Sequence, residues 1–214
     1  MYYSYLKKFA AWSVHVFTVF GIFLGFLALL STINYNFTQA VFFLALALFV
    51  DGIDGTIARY VGVENITPTI DGSILDNIID YFNYVLVPTF MIHWFGFVGE
   101  SYSLLICFLI LTVSSYTFSN KQIKTDDYYF SGFPALWNLV VLYFYLLETS
   151  ELINIGIVIV LSVLTFIPIK YVHPIRVIEL RKTNIAMTFL WCLTTVYLLL
   201  TKEPLYNSYQ LITV

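Results

Sequence analysis

Hydrophobic positions run along this chain of 214 residues in long stretches that short polar connections interrupt. A helix needs about 20 mainly apolar residues to cross the hydrocarbon core of a bilayer, which is roughly 30 Å thick. We predict helices in these stretches because backbone polar groups inside lipid must be satisfied within their own segment. The pattern therefore predicts an all-α polytopic transmembrane helix bundle of about seven spans, six to eight at the limits. The predicted spans are Trp12–Thr32, Phe37–Ala58, Ser73–Phe97, Ser101–Phe118, Gly132–Leu147, Leu152–Ile169 and Asn184–Thr201.

The composition supports a membrane-embedded chain. Hydrophobic residues make up 60% of the sequence and charged residues 11%, whereas soluble domains are about 45–50% apolar. No polar stretch is long enough for a separate soluble domain, so we predict a single membrane domain over residues 1–214. The first apolar stretch follows Lys7 and Lys8 as in a signal peptide, but it is too long for one, and we expect it to be retained.

The distribution of basic residues predicts the orientation in the membrane. Lys and Arg prefer the cytoplasmic flanks of transmembrane spans. A cytoplasmic N-terminus places nine of the ten Lys and Arg residues inside and only Lys202 outside. Topology thus accounts for the basic residues, and no basic patch remains for nucleic acid. We expect Arg59, Lys124 and Arg176 on the cytoplasmic side, and Glu100, Glu148 and Lys202 on the other.

Four aspartates flank the connection between the second and third predicted spans. The chain reads Asp51-Gly-Ile-Asp54-Gly55-Thr-Ile-Ala58-Arg59, then twelve residues, then Gly72-Ser-Ile-Leu-Asp76-Asn-Ile-Ile-Asp80. Residues three or four apart share a helix face. We therefore expect Asp51 and Asp54 on one face of the second span, and Gly72, Asp76 and Asp80 on one face of the third.

Bound cations are the natural compensation for these charges. An ionised Asp within a span costs about 2.5–3.5 kcal/mol, and Arg59 alone cannot balance four. Ligand sets made only of carboxylates favour Mg²⁺ or Mn²⁺ over Zn²⁺, and two carboxylates on each helix can hold two ions for displacement at phosphorus. His15, His93 and His173 are far apart and form no motif, while Asp71 and Glu64 are expected to be helix caps or solvated charges.

Small residues accompany the aspartates on the second span. Gly55 and Ala58 share the face of Asp51 and Asp54, where they leave room for a flat or extended ligand. They are equally typical of close helix packing, and the two interpretations are compatible. Arg59 either pairs with a pyrophosphate or only anchors the topology.

The pattern D-x-x-D-G-x-x-A-R-x₁₂-G-x-x-x-D-x-x-x-D resembles the signature of the CDP-alcohol phosphatidyltransferase family. The resemblance implies two ions of Mn²⁺ or Mg²⁺ held by Asp51, Asp54, Asp76 and Asp80, with Asp80 also the catalytic general base. It implies a CDP-binding set of Asp54, Gly55, Ala58, Arg59 and Gly72. This chain departs from many relatives in the first span, where it has His15-Val-Phe-Thr18 instead of Asn-x-x-Thr.

The reaction that the resemblance implies is attack of an alcohol on the phosphatidyl group of CDP-diacylglycerol, with CMP leaving. The stretches Asp80 to Val85 and Lys124 to Asn138 resemble bacterial members of the family that use choline. The four aspartates, two divalent ions, the pyrophosphate and Arg59 would together carry one net negative charge. A cationic acceptor balances that charge. Serine, glycerol phosphate or an inositol phosphate are the alternative acceptors. The resemblance also implies a homodimer in the bacterial inner membrane, and the distribution of basic residues predicts an active site that faces the cytoplasm.

A quaternary ammonium donates no hydrogen bond and is best held by aromatic faces and a carboxylate. The residues near the motif or in the loop before the fifth span that could do this are Asn83, Tyr84, Asp126, Asp127, Tyr128, Tyr129, Phe133 and Trp137.

An ion-coupled transporter is the alternative from another class, because carboxylates within spans often mark ion pathways. Transporter sites usually lie near the bilayer midplane between two repeats, whereas this cluster lies near one surface and has no counterpart later in the chain.

Overall fold

The computed structural model describes residues 2–120, 129–172 and 181–202. The chain there is almost entirely helical. The helices are α1 (Tyr2–Ile33), α2 (Phe37–Val61), α3 (Val63–Ile66), α4 (Gly72–Asp80), α5 (Val87–Trp94), α6 (Glu100–Ser119), α7 (Trp137–Leu147), α8 (Glu151–Leu164) and α9 (Arg181–Thr201), with a π-helical segment, Tyr81–Leu86, between α4 and α5. Two short strands, β1 (Tyr129–Ser131) and β2 (Lys170–Val172), complete these elements.

The predicted all-α membrane fold is confirmed, and a helix lies within each predicted span. The helical ranges that are long and apolar enough to cross a bilayer by themselves are Tyr5–Ile33, Phe37–Val61, Glu100–Ser119 and Arg181–Thr201. The helices Trp137–Leu147 and Glu151–Leu164 are apolar but shorter. The third predicted span consists of α4, the π-helical segment and α5 in succession. The total number of spans stays a prediction.

Two predicted helices are shorter than expected at the ends where β1 and β2 meet. The strands pair antiparallel, with Phe130 opposite Tyr171, so α7 begins at Trp137 rather than Gly132, and α8 ends at Leu164 rather than Ile169. Gly132 has a φ of 86°, a left-handed conformation that glycine adopts without strain. A side chain there would overlap the backbone carbonyl of Thr165.

Capping residues fix both ends of α2. The Asn36 side chain accepts a hydrogen bond from the backbone N–H of Gln39, which satisfies one of the donors that the first turn leaves free. Gly62 ends the helix with a φ of 73°, and its N–H donates to the Ala58 carbonyl. The motif aspartates therefore lie in the last part of a helix whose end is fixed by a left-handed glycine.

Aromatic side chains close one end of the bundle, which we call the aromatic end (Phe37, Phe95, Phe97 and Tyr145). The rings of Phe37 and Tyr145 stack with centroids 4.0 Å apart, and Phe95 meets Phe37 edge-on at 5.2 Å. Phe37 begins α2, and the 14 residues from it to Asp51 extend about 21 Å along the axis. The start of α2 therefore lies at one end of the bundle and the motif aspartates lie toward the other.

The outer surface of the bundle is strongly apolar. Large hydrophobic side chains such as Phe9, Phe49 and Leu104 are 64–74% exposed. Soluble proteins rarely expose so much apolar surface to water. The lipid tails of a membrane would cover it. The buried core lies between α2, α5, α6 and α7 and includes Met91, Ile110 and Trp137.

Candidate active site

Three carboxylates from two helices meet at one point of the structure. Asp51 comes from α2, and Asp76 and Asp80 come from successive turns of α4. Each offers one oxygen, and these three oxygens lie within 4.8 Å of one another. Each side chain is half-buried. We call this end of the bundle, defined by Asp51, Asp76 and Asp80, the carboxylate end.

Such a grouping is costly for the protein alone. Two ionised carboxylates whose oxygens lie within 4.8 Å of each other repel by at least roughly 3 kcal/mol at an effective dielectric constant of about 20. The donor set consists of oxygen atoms only, at a mutual spacing that one hard divalent cation can bridge, so it fits Mg²⁺ or Mn²⁺. The helices thus hold together groups that a divalent cation would stabilise.

Asp54 lies next to these three carboxylates without joining their closest grouping. It is only 5% exposed and lines the same narrow cleft as Asp51, Asp76 and Asp80. The remaining lining comes from α1, α2 and α4 and consists of Thr18, Gly21, Ala47, Val50 and Ile79. Asp54 therefore faces the predicted site, one turn farther along α2.

The first helix forms one wall of this cleft, a wall that the sequence motif did not predict. A Cβ at Gly21 would come within 3.2 Å of Ile79 Cγ2, and one at Gly25 would overlap Asn83 Oδ1. Small residues four apart let helices approach closely. The spacing of Gly21 and Gly25 was the available signal, and Thr18 in the His15-x-x-Thr18 pair lies one turn before it on the cleft wall.

His15 has a different contact from Thr18. Its Nε2 lies 2.9 Å from the Thr67 hydroxyl, and both side chains are buried. The Thr67 hydroxyl also donates to the Val63 carbonyl at 3.1 Å. The pair ties α1 to the connection between α3 and α4. His93 contacts the Ser103 hydroxyl at 2.7 Å, and His173 lies outside the described residues.

Apart from Asp54, the candidate CDP-binding residues lie outside the cleft lining, in the last turns of α2 and the first turn of α4. Gly55 and Ala58 are half-buried on α2, and Arg59 is exposed in its last turn, where it donates to the Thr56 hydroxyl at 3.2 Å. Gly72 is exposed at the first turn of α4, and a Cβ there would meet nothing within 4 Å. The exposed Arg59 guanidinium is available to an anionic ligand.

Asp71 is a helix cap, as expected from the sequence. Its side chain accepts hydrogen bonds from the Ser73 backbone N–H at 2.9 Å, the Ser73 hydroxyl at 2.7 Å and the Ile74 N–H at 3.2 Å. The bond from the Ser73 hydroxyl and those from the two N–H groups lower the pKa of Asp71. Glu64 is exposed in the first turn of α3, where a negative charge interacts favourably with the helix dipole.

Two of the candidate acceptor residues follow Asp80 in the π-helical segment. The Tyr84 hydroxyl donates to Asp51 Oδ2 at 2.7 Å. The Asn83 amide nitrogen donates to the Gly21 carbonyl at 3.1 Å, while its Oδ1 is buried without a hydrogen bond. Both side chains are more than nine-tenths buried.

The other acceptor candidates belong to the fifth predicted span and its preceding loop. Trp137 is fully buried, and its indole N–H donates to the Ser114 hydroxyl at 2.8 Å. Phe133 is 6% exposed and meets the Trp137 ring edge-on. Tyr129 is half-buried in β1, and the Lys170 ammonium lies 5.4 Å from its ring centroid. Asp126, Asp127 and Tyr128 lie outside the described residues.

Comparisons with known proteins agree with this geometry. The sequence profile of the CDP-alcohol phosphatidyltransferase family matches residues 14–202, and this family is generally dependent on divalent metals. A phosphatidylcholine synthase of Mesorhizobium japonicum is 44% identical over 85% of this chain and 68% of its own length. Those of Pseudomonas aeruginosa and Borreliella burgdorferi are 41% and 40% identical, over 93% and 86% of this chain and 83% and 78% of their own lengths.

The profile match covers the carboxylate cluster, the cleft wall on α1 and most of the helix bundle. The three relatives are 40–44% identical to this chain over 85–93% of its length. This chain is an enzyme of the CDP-alcohol phosphatidyltransferase family.

Proposed function

We propose that this enzyme transfers the phosphatidyl group of CDP-diacylglycerol to choline and releases CMP. The observation that carries the proposal is the meeting of Asp51, Asp76 and Asp80 within 4.8 Å at the family motif. The choice of choline is supported by the relatives at 40–44% identity, which are phosphatidylcholine synthases. All residues from 1 to 214 act as one membrane domain in this proposal.

The four motif aspartates hold two divalent ions, Mn²⁺ or Mg²⁺. Asp51, Asp76 and Asp80 supply converging oxygens, and Asp54 supplies a ligand from the same cleft. When bound, the ions neutralise the pyrophosphate and stabilise the charge that develops at phosphorus. Gly55, Ala58 and Gly72 leave space for the CDP moiety beside Asp54, and Arg59 binds its phosphates from the end of α2.

Asp80 is the general base of the reaction. It takes the proton of the choline hydroxyl as the alkoxide oxygen bonds to the phosphorus that carries diacylglycerol. The bond from that phosphorus to the bridging oxygen breaks, and CMP leaves with the electron pair. Asp80 ends α4 and directly precedes the π-helical segment, so the base and the first candidate acceptor residues lie on consecutive turns.

The choline ammonium is bound by aromatic faces and carboxylates near the cleft. The set comprises Asn83, Tyr84, Asp126, Asp127, Tyr128, Tyr129, Phe133 and Trp137. Support comes from Tyr129, whose ring face already accepts the Lys170 ammonium at 5.4 Å. The burial of Trp137 and Phe133 suits a supporting role behind the more accessible members.

In the cell, we place the carboxylate end at the cytoplasmic face of a bacterial inner membrane and the aromatic end at the opposite face. This places the site where CMP and soluble choline exchange with the cytosol. The distribution of Lys and Arg supports this orientation. We also propose that two copies form a homodimer.

Release of CMP by the purified protein in lipid nanodiscs tests the proposed reaction. We expect CMP from CDP-diacylglycerol only when choline and Mn²⁺ or Mg²⁺ are both present, and no CMP after chelation with EDTA. Serine, glycerol phosphate and inositol phosphate are tested alongside. Release with one of these but not with choline would replace the acceptor while keeping the reaction class. Choline uptake into proteoliposomes without CMP release would instead support an ion-coupled transporter.

The acceptor pocket has its own test. At saturating Mn²⁺, alanine at Asp126, Asp127 or Tyr84 is expected to raise the choline KM at least about tenfold, or about 1.4 kcal/mol, with little change for CDP-diacylglycerol. Glu64→Ala is the matched control, because Glu64 is an exposed acidic residue outside the cleft. If all three variants keep the wild-type choline KM, the pocket lies elsewhere.

A further inference from the structure

The π-helical segment after Asp80 directs neighbouring side chains to two different helices. Asn83 donates to the Gly21 carbonyl on α1, while Tyr84 donates to the Asp51 carboxylate on α2. Segments of π-helix are rare and frequently occur at functional sites. Here the segment fixes the third predicted span against α1 and α2, which also line the cleft.

The Tyr84 hydroxyl is held in place by its surroundings. The side chain is 6% exposed, so the ring has little freedom to move away from Asp51. The oxygen-to-oxygen distance of 2.7 Å is typical of a hydroxyl that donates to another oxygen, and a bond to an ionised acceptor is stronger than a neutral one. A carboxylate accepts several hydrogen bonds or metal bonds at once, so Asp51 keeps ligand capacity for a cation.

Asp51 faces the other two carboxylates from a different helix. It is the member of the converging trio supplied by α2, and its oxygen must remain within 4.8 Å of those from Asp76 and Asp80 on α4. Repulsion would turn the carboxylate away from its partners before a cation binds. A fixed donor on the α4 side of the cleft counteracts that rotation.

We propose that Tyr84 is a positioning residue that holds the Asp51 carboxylate in the orientation required to bind a divalent cation. The inference rests on the metal site of the proposed function. It is distinct from the proposed contact of the Tyr84 ring with choline, because it concerns only the hydroxyl group.

Tyr84→Phe removes this hydroxyl and keeps the ring. The matched control is Tyr81→Phe in the same π-helical segment, since the Tyr81 hydroxyl contacts the Leu111 carbonyl and the Ser115 hydroxyl on α6, both at 3.2 Å. Both variants lose one hydroxyl, but only Tyr84→Phe loses a bond to a motif carboxylate.

The direct measurement is Mn²⁺ binding by the purified proteins, with free Mn²⁺ quantified by electron paramagnetic resonance and without any substrate. We expect Tyr84→Phe to raise the Mn²⁺ dissociation constant about tenfold, the lower range for loss of a partner to a metal ligand. Tyr81→Phe should stay within about twofold of the wild type. In turnover at saturating Mn²⁺, Tyr84→Phe should keep its choline KM.

A double variant tests whether Tyr84 acts through Asp51. In an Asp51→Asn background, the further change Tyr84→Phe should leave Mn²⁺ affinity unaltered, because the carboxylate it positions is absent. If Tyr84→Phe alone folds poorly, Mn²⁺ binding is compared between Asp51→Asn and the double variant. Neither of these proteins carries the Asp51 charge that the Tyr84 hydroxyl stabilises. Unchanged Mn²⁺ affinity in Tyr84→Phe, or an equal loss in both backgrounds, would overturn the proposal. These binding measurements stand whether or not choline is the acceptor, so failure of the proposed reaction is separately detectable.

Discussion

The two ends of this helix bundle are built in opposite ways. At the aromatic end, the rings of Phe37 and Tyr145 stack at 4.0 Å, and the Lys202 ammonium pairs with Glu148 at 3.0 Å. At the carboxylate end, three aspartate oxygens lie within 4.8 Å of one another. Side chains fill one end, while glycines keep the helices close around a cleft at the other. Packing at the aromatic end contributes stability to the bundle, whereas the like charges at the carboxylate end oppose it.

The largest expected effect is at Asp80. Asp80→Asn should lower CMP release by about 10²–10⁴-fold, the usual contribution of a general base, while CDP-diacylglycerol binding remains largely intact. Asp51→Asn and Asp76→Asn should also raise the metal concentration needed for activity. The measurements are CMP release against Mn²⁺ concentration and binding of a labelled CDP-diacylglycerol.

Asp71→Asn is the matched control for these variants, because Asn caps a helix as well as Asp does and Asp71 contacts Ser73 and Ile74 rather than the cluster. It should retain wild-type turnover. CMP release by Asp80→Asn at the wild-type rate would show that the base is another group.

At the aromatic end, the expected effect is on stability alone. Tyr145→Ala removes a buried ring that stacks on Phe37 and contacts the Lys202 ammonium at 4.7 Å, and should lower the unfolding free energy by about 3 kcal/mol. The metal requirement of the folded enzyme should not change. Thermal unfolding in detergent and activity at low temperature separate the two properties.

Phe42→Ala on α2 is the control for that substitution, because Phe42 is 56% exposed on the outer surface. It should change stability far less than Tyr145→Ala. A shift in the Mn²⁺ requirement of Tyr145→Ala at temperatures where it is folded would contradict the separation of the two ends.

A smaller effect is expected where α1 meets the π-helical segment. A Cβ at Gly25 would overlap Asn83 Oδ1 and come within 2.8 Å of the Phe82 ring. Gly25→Ala should therefore destabilise the enzyme by about 1–3 kcal/mol and reduce turnover as the cleft widens. The readouts are the unfolding temperature and the CMP release rate.

Gly156→Ala on α8 is the glycine control, since a Cβ there meets nothing within 4 Å. It should keep wild-type stability and turnover. If both glycine variants behave alike, the close approach of α1 does not matter for the site.

The smallest functional effect is expected from variants that report only on orientation. Glu64, near the carboxylate end, and Glu100, at the start of α6, are both exposed in the structure. Each is replaced by cysteine in a separate variant. In a background with Cys107 and Cys192 replaced by Ser, both should retain activity. We expect an impermeant thiol reagent added outside intact cells to label Glu100→Cys and not Glu64→Cys. The reverse labelling pattern would invert the proposed orientation.

The sequence alone determined the helical membrane fold and the four motif aspartates. Apolar stretches in lipid must be helical, because the backbone has no other hydrogen-bonding partners there. The spacing of Asp76 and Asp80 then places them on successive turns of one helix. Asp71 was also predictable as a cap or a solvated charge, since Asp at a helix end is a preferred N-cap residue. These features depend on local periodicity.

Only the tertiary structure decided which groups face those aspartates. Three contacts join residues far apart in the sequence: the approach of Gly21 and Gly25 to α4 and the π-helical segment, the bond from Tyr84 to Asp51, and the pairing of His15 with Thr67. The strand pair that shortens α7 and α8 likewise requires two distant segments to meet. Helical periodicity fixes which side chains share a face, but the distances between faces depend on how closely the helices pack.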